Sequence, residues 1–191
     1  PDGRFVGGTS KLDKASISEI VPKWINTNCI ECGKCSIVCP HGVIRTFMLN
    51  EEEYNSAPDY IKERCKEAMG KFDSKHYFIV AISIKDCTGC GLCIKSCPGK
   101  STVKALISSA LETELKNKEI DYLSNNISDK DILPNTIKGT QLKSPKFAFS
   151  GACAGCGEPA YIKLLTQMFG DSLIIANATG CSSIYGGSAP S

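Results

Sequence analysis

The sequence predicts an α+β fold made of two similar halves, followed by a connector and the beginning of an α/β domain. Two observations predict it: a twelve-residue cysteine motif occurs twice with short apolar stretches beside each copy, and a later glycine-rich loop precedes a helical pattern and a short apolar run. The predicted units are an N-terminal arm (1–23), the two-halved domain (24–107, with an insertion at 50–77), a connector (108–146) and an incomplete α/β domain (147–191).

Composition excludes several classes of protein. The chain of 191 residues has a net charge of +2, and its lysines are scattered, so no concentrated basic face predicts binding to nucleic acid. No apolar run approaches the roughly 18 residues that span a membrane, and no signal peptide is recognisable. We therefore expect a cytoplasmic protein that does not bind membranes.

Twelve cysteines carry the functional information. The first copy of the motif runs from Cys29 to Pro40 and the second from Cys87 to Pro98, and both follow the pattern C-x2-C-x2-C-x3-C-P. Strands are predicted at 43–49, 78–84 and 103–107. In a chain without a secretory signal, such clustered cysteines indicate metal ligation before disulfides.

The doubled motif predicts two [4Fe-4S] clusters. Each cluster needs four thiolates, and in this pattern the fourth cysteine of one copy ligates the cluster of the other copy. The first predicted ligand set is Cys29, Cys32, Cys35 and Cys97. The second is Cys87, Cys90, Cys93 and Cys39. Zinc is the alternative, although one tetrahedral zinc ion does not need three closely spaced thiols in each loop.

The insertion is predicted to contain one helix. Ser56 is its expected cap and Gly70 its expected end. Its apolar face consists of Ile61, Cys65, Ala68 and Met69. Cys65 stands outside both motifs, so we interpret it as a small buried hydrophobe and not as a ligand.

The second half of the chain is less regular. A helix is expected at 106–115, followed by an extended connector, a strand end at 147–149, a helix between Pro159 and Gly170, and a buried strand at 173–176. The apolar stripe predicted for the helix consists of Tyr161, Leu164, Leu165, Met168 and Phe169.

A third group of thiols comprises Cys153, Cys156 and Cys181. The loop with the first two leads into a helix N-terminus, where free N–H groups favour negative charge such as that of a thiolate-bound cluster. If the group holds a third [4Fe-4S] cluster, its fourth ligand lies outside this chain; a zinc pair or buried structural thiols are the alternatives. His41, next to the first motif, is expected to face solvent.

The segments FSGACAGCGE (149–158) and ANATGCSSIYGG (176–187), together with the doubled cysteine motif, resemble the pyruvate:ferredoxin (or flavodoxin) oxidoreductase family. The resemblance extends over essentially the whole chain. It implies an electron-transfer segment of an enzyme that converts pyruvate and coenzyme A to acetyl-coenzyme A and CO2, using thiamine diphosphate and Mg2+. It also implies that electrons pass through three [4Fe-4S] clusters to ferredoxin or flavodoxin, and that the parent enzyme is a homodimer.

Residue by residue, the resemblance implies that Cys153, Cys156 and Cys181 are ligands of the cluster nearest thiamine, and that Glu158 and Thr179 contact that cofactor. The usual thiamine–magnesium signature, a Gly-Asp-Gly followed by an asparagine pair, is not found in these 191 residues. We therefore expect this segment alone to be catalytically incomplete, with the rest of the parent enzyme as its partner and no catalytic residue of its own. The competing hypotheses are a free-standing dicluster ferredoxin that carries electrons and a zinc-stapled interaction module.

Overall fold

A computed structural model describes residues 16–114, 118–133 and 135–185. The five strands of this part of the chain are β1 (Ile20–Trp24), β2 (Ile44–Asn50), β3 (Lys66–Glu67), β4 (His76–Ile82) and β5 (Leu106–Ala110). Its helices are α1 (Lys34–Ile37), α2 (Glu51–Ser56), α3 (Asp59–Lys62), α4 (Leu92–Ser96), α5 (Leu111–Glu114), α6 (Glu119–Asn126), α7 (Ile137–Gln141), α8 (Glu158–Phe169) and α9 (Cys181–Ser183).

Strands β1 and β5 form an antiparallel ribbon. In the chain, β1 precedes the first cysteine motif and β5 follows the second. Ile20 pairs with Ala110, and Trp24 with Leu106. Residues 20–23 of the predicted arm therefore belong to this ribbon. The boundaries of the units stay a prediction, and residues 1–15 lie outside the described part. The same pairing corrects the helix expected at 106–115, since Leu106–Ala110 is a strand and, of the described residues, Leu111–Glu114 are helical; the strand expected at 103–107 is confirmed for its last two residues.

The second sheet has the strand order β2-β4-β3 and holds most of the core. Strands β2 and β4 are antiparallel, with Ile44 opposite Ile82. Five consecutive residues of β4, Phe78–Ile82, are buried, which is expected of an apolar strand covered on both faces. The ring of Trp24 meets that of Phe78 edge-on at 6.4 Å and so joins the ribbon to this sheet.

The insertion contains two short helices and the small strand β3, and not the single helix predicted for it. Asn50 caps α2 through a reciprocal hydrogen-bonded pair with Glu53, and Pro58 directly precedes α3. Helix α2 ends before Ala57, whose backbone is extended as is usual before a proline, so one long helix does not form. Ile61 is fully buried and Cys65 packs against the core as expected, whereas Met69 is exposed.

The segment predicted as an extended connector is folded against the core. Helix α6 buries Ile120, Leu123 and Ile127, whose spacing places them on one helical face. Helix α7 begins after Thr136, whose side-chain oxygen accepts a hydrogen bond from the Gly139 N–H at 3.0 Å. These elements bring the later part of the chain against the first cysteine motif.

Helix α8 has the predicted bounds, with Pro159 in its first turn and Gly170 at its end. Its predicted buried stripe is wrong. Four of those residues are exposed, namely Tyr161, Leu165, Met168 and Phe169. The buried residues are instead Pro159, Lys163, Thr166 and Gln167. The polar face packs inward because it forms specific hydrogen bonds to α1 and α7, as described below.

The end of the described chain does not form the predicted strands. Residues 147–149 and 173–176 are not in strands, and Ile174 is 94% exposed. A strand needs a neighbouring strand for its backbone hydrogen bonds, and no described residues supply one here. The α/β beginning expected for 147–191 is therefore represented by α8 and the short helix α9, and residues 186–191 lie outside the described part.

Candidate metal centres

The two cysteine motifs fold into loops of the same shape. A 3₁₀ turn precedes the first cysteine of each loop, at Asn26–Asn28 and at Ile84–Asp86. A short helix follows the second cysteine, and it is α1 in one loop and α4 in the other. The sequence repeat is thus a structural repeat, and α1 and α4 pack against each other.

One cavity, of about 370 Å³, is lined by the cysteines of the first predicted set. Three come from the first loop and the fourth from the end of the second loop: Cys29, Cys32, Cys35 and Cys97. Trp24, Phe78 and Leu106 supply apolar walls.

A second cavity, of about 510 Å³, is lined by the other predicted set. Its cysteines are Cys87, Cys90, Cys93 and Cys39. Within the described residues, no trio of His, Cys, Asp or Glu side chains is placed to hold a single metal ion; each set of four surrounds a cavity. The structure therefore brings together the two crossed sets, and ligation by these thiols stays a prediction.

Backbone N–H groups point at the sulfurs in both loops. The N–H of Glu31 lies 3.4 Å from Cys29 Sγ, and that of Gly89 lies 3.4 Å from Cys87 Sγ. The N–H of Ala105 lies 3.3 Å from Cys97 Sγ. Such donors stabilise thiolate over thiol and are one of the means by which a protein sets the potential of an iron–sulfur cluster.

Three buried polar atoms without a hydrogen-bond partner among the described residues all belong to cavity-lining side chains. They are Nε1 of Trp24 at the first cavity, and Nε2 of His41 and Oγ1 of Thr88 at the second. Buried polar groups are normally paired, and the indole and hydroxyl groups are donors that suit the sulfur acceptors of a cluster. The residues present fit the [4Fe-4S] groups on this observation.

His41 is buried, so the expectation that it faces solvent is wrong. Its Nδ1 lies 2.9 Å from the carbonyl oxygen of Ser150. Because a carbonyl oxygen only accepts, Nδ1 carries the proton. The ring thus links the end of the first loop to the segment that precedes the third thiol group.

Burial raises the pKa values of the thiols that face the cavities. It raises the pKa of Cys87 to about 11 and that of Cys93 to about 12. Burial, and then the neighbouring thiols of both sets, raise the pKa of Cys35. For Cys29, burial outweighs the opposing effects of the Glu31 N–H and the Trp24 indole. Clustered buried thiols resist ionisation unless cationic metal compensates them, which is what iron does.

A buried carboxylate in the first loop was missed by sequence reasoning. Glu31 is 1% exposed, and its oxygens accept from the Met69 N–H and from Lys138. Lys66 lies 3.3 Å away. The repeat contained a signal for this residue, because Glu31 occupies the position that Gly89 has in the other copy. Both residues have a positive φ, which is 58° for Glu31 and 67° for Gly89.

The third thiol group is open to solvent in this chain. Cys153 and Cys181 are exposed and Cys156 is half-buried. The pKa of the Tyr185 phenol is raised by burial, then by its contact with Glu158, and lastly by the thiols of Cys156 and Cys181. A Cβ placed on Gly155 would be 3.7 Å from the Cβ of Cys90, so this loop lies against the second set.

The two predicted thiamine contacts lie near this group. The carboxylate of Glu158 accepts a hydrogen bond from the Tyr185 hydroxyl at 2.6 Å and lines an open cleft with Asn177 and Ser182. Thr179 is exposed and is not part of the cleft lining. Whether either residue contacts a cofactor stays a prediction.

Comparison with known proteins agrees with this geometry. The family model of the 4Fe-4S dicluster domain matches residues 28–101. Pyruvate:ferredoxin oxidoreductase from Moorella thermoacetica is 46% identical over the whole chain, and pyruvate-flavodoxin oxidoreductase from Nostoc sp. is 42% identical over the whole chain. The mitochondrial pyruvate dehydrogenase [NADP(+)] of Euglena gracilis is 40% identical over 99% of the chain. This chain spans 16% of the first two proteins and 10% of the third.

The fold and the two cysteine-lined cavities define a 4Fe-4S dicluster ferredoxin-like domain. The homology runs well beyond that domain and includes the third thiol group. Along its whole length the chain is homologous to one segment of the pyruvate:ferredoxin and pyruvate-flavodoxin oxidoreductases. Among the described residues, no helix is both long and apolar enough to cross a membrane.

Proposed function

We propose that this chain is the electron-relay segment of an enzyme that oxidises pyruvate with coenzyme A to acetyl-coenzyme A and CO2, releasing two electrons and one proton. The observation that carries the proposal is the lining of two adjacent cavities by the crossed sets of four cysteines. When bound, the clusters supply sites that accept and release one electron at a time. Ferredoxin or flavodoxin is the proposed final acceptor.

The residues of this chain keep the two cysteine-lined sites close together and exclude water from them. Cys35, in α1, and Cys39 are only four positions apart in the chain, yet they line different cavities. The thiol of Cys93, from the second set, influences the pKa of Cys35. Apolar side chains such as Phe78 and Ile44 line the cavities and exclude water. Short separation and a dry interior both favour electron exchange between the sites.

One contact supports an order for the three thiol groups. The loop with Cys153 and Cys156 lies against Cys90 of the second set through Gly155. We therefore propose that the third group, completed by a ligand from the rest of the parent enzyme, receives electrons first. The second set follows, and the first set is nearest to the external acceptor.

The remaining proposals concern the parent enzyme. Thiamine diphosphate with Mg2+ supplies the chemistry that cleaves the 2-oxo acid, and Glu158 and Thr179 are proposed to lie beside it. The parent enzyme is proposed to be a homodimer. A reducing compartment such as the cytoplasm suits the protein, because all twelve cysteines are free thiols in the structure and an oxidising compartment would favour disulfides.

The free-standing ferredoxin and the zinc module are less well supported. A carrier that consists of two clusters alone does not account for a match that continues through the third thiol group to the end of the chain. The zinc module is disfavoured by the match of a 4Fe-4S family model to residues 28–101.

The test uses the full-length parent enzyme prepared without oxygen. We expect iron and acid-labile sulfide for [4Fe-4S] clusters, and interacting paramagnetic signals after dithionite reduction. Pyruvate with coenzyme A should reduce the same centres. A colourless protein without sulfide, or one that contains zinc in their place, would overturn the proposal.

A further inference from the structure

Lys163 is a buried lysine that the proposed relay does not yet explain. It lies on α8 and is 2% exposed, although lysine is almost never buried without a partner. Its ammonium group donates to the carbonyl oxygen of Ser36, in α1. The same carbonyl accepts the N–H of Cys39 at 3.3 Å, so the ammonium lies beside the backbone of a predicted ligand.

The position of Lys163 is fixed by a buried polar network. The Ser36 hydroxyl is 2.8 Å from Oε1 of Gln141, and Nε2 of Gln141 donates to Gln167 at 3.0 Å. Gln167 lies one helical turn after Lys163 on α8 and donates to the carbonyl of Lys143 at 2.7 Å. These bonds explain why the polar face of α8 is the buried one, and they hold the lysine against the loop.

The ammonium group of Lys163 has no carboxylate partner in the part of the chain that the structure describes. Among the described residues, none of the acidic side chains lies within ion-pair distance of Lys163, and the positive Arg45 is close enough to oppose its charge. Burial lowers the pKa of Lys163 to about 8, while the thiols of Cys39 and then Cys35 favour its charged form. An unpaired buried cation is costly, so a nearby anion is the missing counter-charge.

Lys163 lines neither cavity, but Ser36, to which it donates, lies in the chain between Cys35 of the first cavity and Cys39 of the second, so the ammonium is close to ligands of both predicted sets. A thiolate-ligated [4Fe-4S] cluster is an anion, and it becomes more negative by one charge when it accepts an electron. A fixed buried cation therefore stabilises the reduced form more than the oxidised form, since charges interact strongly where water is excluded.

We propose that Lys163 is a positioning residue for electron transfer, the shared buried counter-charge that raises the reduction potentials of both ferredoxin-type clusters. The inference rests on the proposed function, because it requires those clusters. It also assigns a role to the contact between α8 and the dicluster domain: that contact sets the potentials of the relay as well as holding the two parts together.

The test compares Lys163→Met with Lys95→Met in the full-length parent enzyme prepared without oxygen. Lys95 is the matched control, because it lies in the second cysteine loop but is exposed to water. Midpoint potentials are measured by redox titration followed by electron paramagnetic resonance. In Lys163→Met we expect both clusters to become harder to reduce, by about tenfold or more in the equilibrium constant, which is about 59 mV for a one-electron couple.

The control should shift by much less. Equal shifts in both variants, unchanged potentials in Lys163→Met, or a shift in one cluster alone would overturn the inference. Lys163→Arg keeps the charge and should keep potentials near those of the unsubstituted enzyme; a shift as large as that of Lys163→Met would assign the effect to packing and overturn it too. If Lys163→Met does not retain iron and sulfide, Lys163→Gln, which still donates to Ser36, is titrated instead.

The two proposals fail in different ways. Absence of clusters from the unsubstituted enzyme overturns the proposed function. Clusters present with potentials that Lys163 does not influence overturn only the role of this lysine.

Discussion

The carboxylate of Glu31 lies 2.6 Å from the ammonium group of Lys138, 107 residues later in the chain. The pair joins the first cysteine loop to helix α7, and Lys66 adds the insertion to the same cluster of charges. The side chain of Glu31 is fully buried, so water does not replace these contacts when one is lost. The shape of the first loop therefore depends on both segments that surround it.

We expect Glu31→Gln to destabilise the protein. The substitution leaves two largely buried lysines without their anion, and removal of one partner from a buried ion pair costs about 3–5 kcal/mol. Thermal unfolding of the cluster-loaded protein measures the effect, and loss of iron from the first site should accompany the transition at a lower temperature.

Glu67→Gln is the matched control. Glu67 is 71% exposed and lies 3.9 Å from Lys75, so its ion pair is a surface contact that water screens. We expect no measurable change in Tm. If Glu31→Gln unfolds at the same temperature as Glu67→Gln, the charge cluster does not stabilise the loop.

Crossed ligation predicts which cysteine substitutions remove the same cluster. Cys97→Ala should abolish or convert the same cluster as Cys35→Ala, although Cys97 belongs to the second motif in sequence. Cys93→Ala should affect the other cluster. The assignment is read from the two electron paramagnetic resonance signals and from iron per chain.

Cys65→Ala is the control for these variants, because Cys65 packs against the core and lines neither cavity. It should retain every cluster. If Cys97→Ala and Cys93→Ala remove the same signal, each motif ligates its own cluster and the crossed assignment is wrong.

Alanine substitutions at two glycines of the second loop distinguish the effect of backbone strain from that of steric overlap. Gly89 and Gly91 have φ values of 67° and 72°, so alanine costs roughly 1–2 kcal/mol at either position. A Cβ at Gly91 meets open space, whereas at Gly89 it would overlap the Ser18 hydroxyl and lie 3.1 Å from the carbonyl oxygen of Ile20. Gly89→Ala should therefore retain less iron after gel filtration than Gly91→Ala. Equal retention would contradict this account of the contact with β1.

The thiol of Cys65 should react slowly with alkylating reagents. Burial raises its pKa from the ordinary 9.0 to about 12. Because the thiolate is the nucleophile, its fraction at pH 8 falls by roughly 1000-fold relative to a free thiol, and the rate should rise about tenfold per pH unit above that. Iodoacetamide labelling of the cluster-loaded protein, followed by mass spectrometry, measures the rate. The urea-unfolded protein is the reference, and equal rates in both states would show that Cys65 is not shielded.

The features that were predicted correctly from the sequence are those encoded locally or by a known motif. The spacing of the cysteines predicted the two crossed groupings, and the structure gathers each group around one cavity, while ligation by these thiols stays a prediction. The apolar run near Phe78 predicted the central strand, and Pro159 with Gly170 predicted the bounds of α8. Each signal lies within a few residues of the feature that it specifies.

The features that were missed depend on partners distant in sequence. Residues 106–110 have a helical pattern but form a strand, because β1 pairs with them from more than 80 residues earlier. The periodicity of the sequence distinguished an apolar and a polar face on α8 but did not show which face is buried. The polar face is buried because it hydrogen-bonds to Ser36 and Gln141. The role of Glu31 was likewise missed because its partners lie 35 and 107 residues away.

The interleaved cysteines also have a consequence for biosynthesis. Cys97 emerges from the ribosome 62 residues after Cys35. At roughly 5–20 residues per second, the first cavity therefore lacks its fourth thiol for about 3–12 s of translation. In this interval the three sulfurs that the first set takes from the first motif lack their fourth partner and are open to oxygen and to adventitious metals. Delivery of iron and sulfide is thus best timed after the second motif has been translated, and a chaperone that masks the early cysteines would be of most use during this interval.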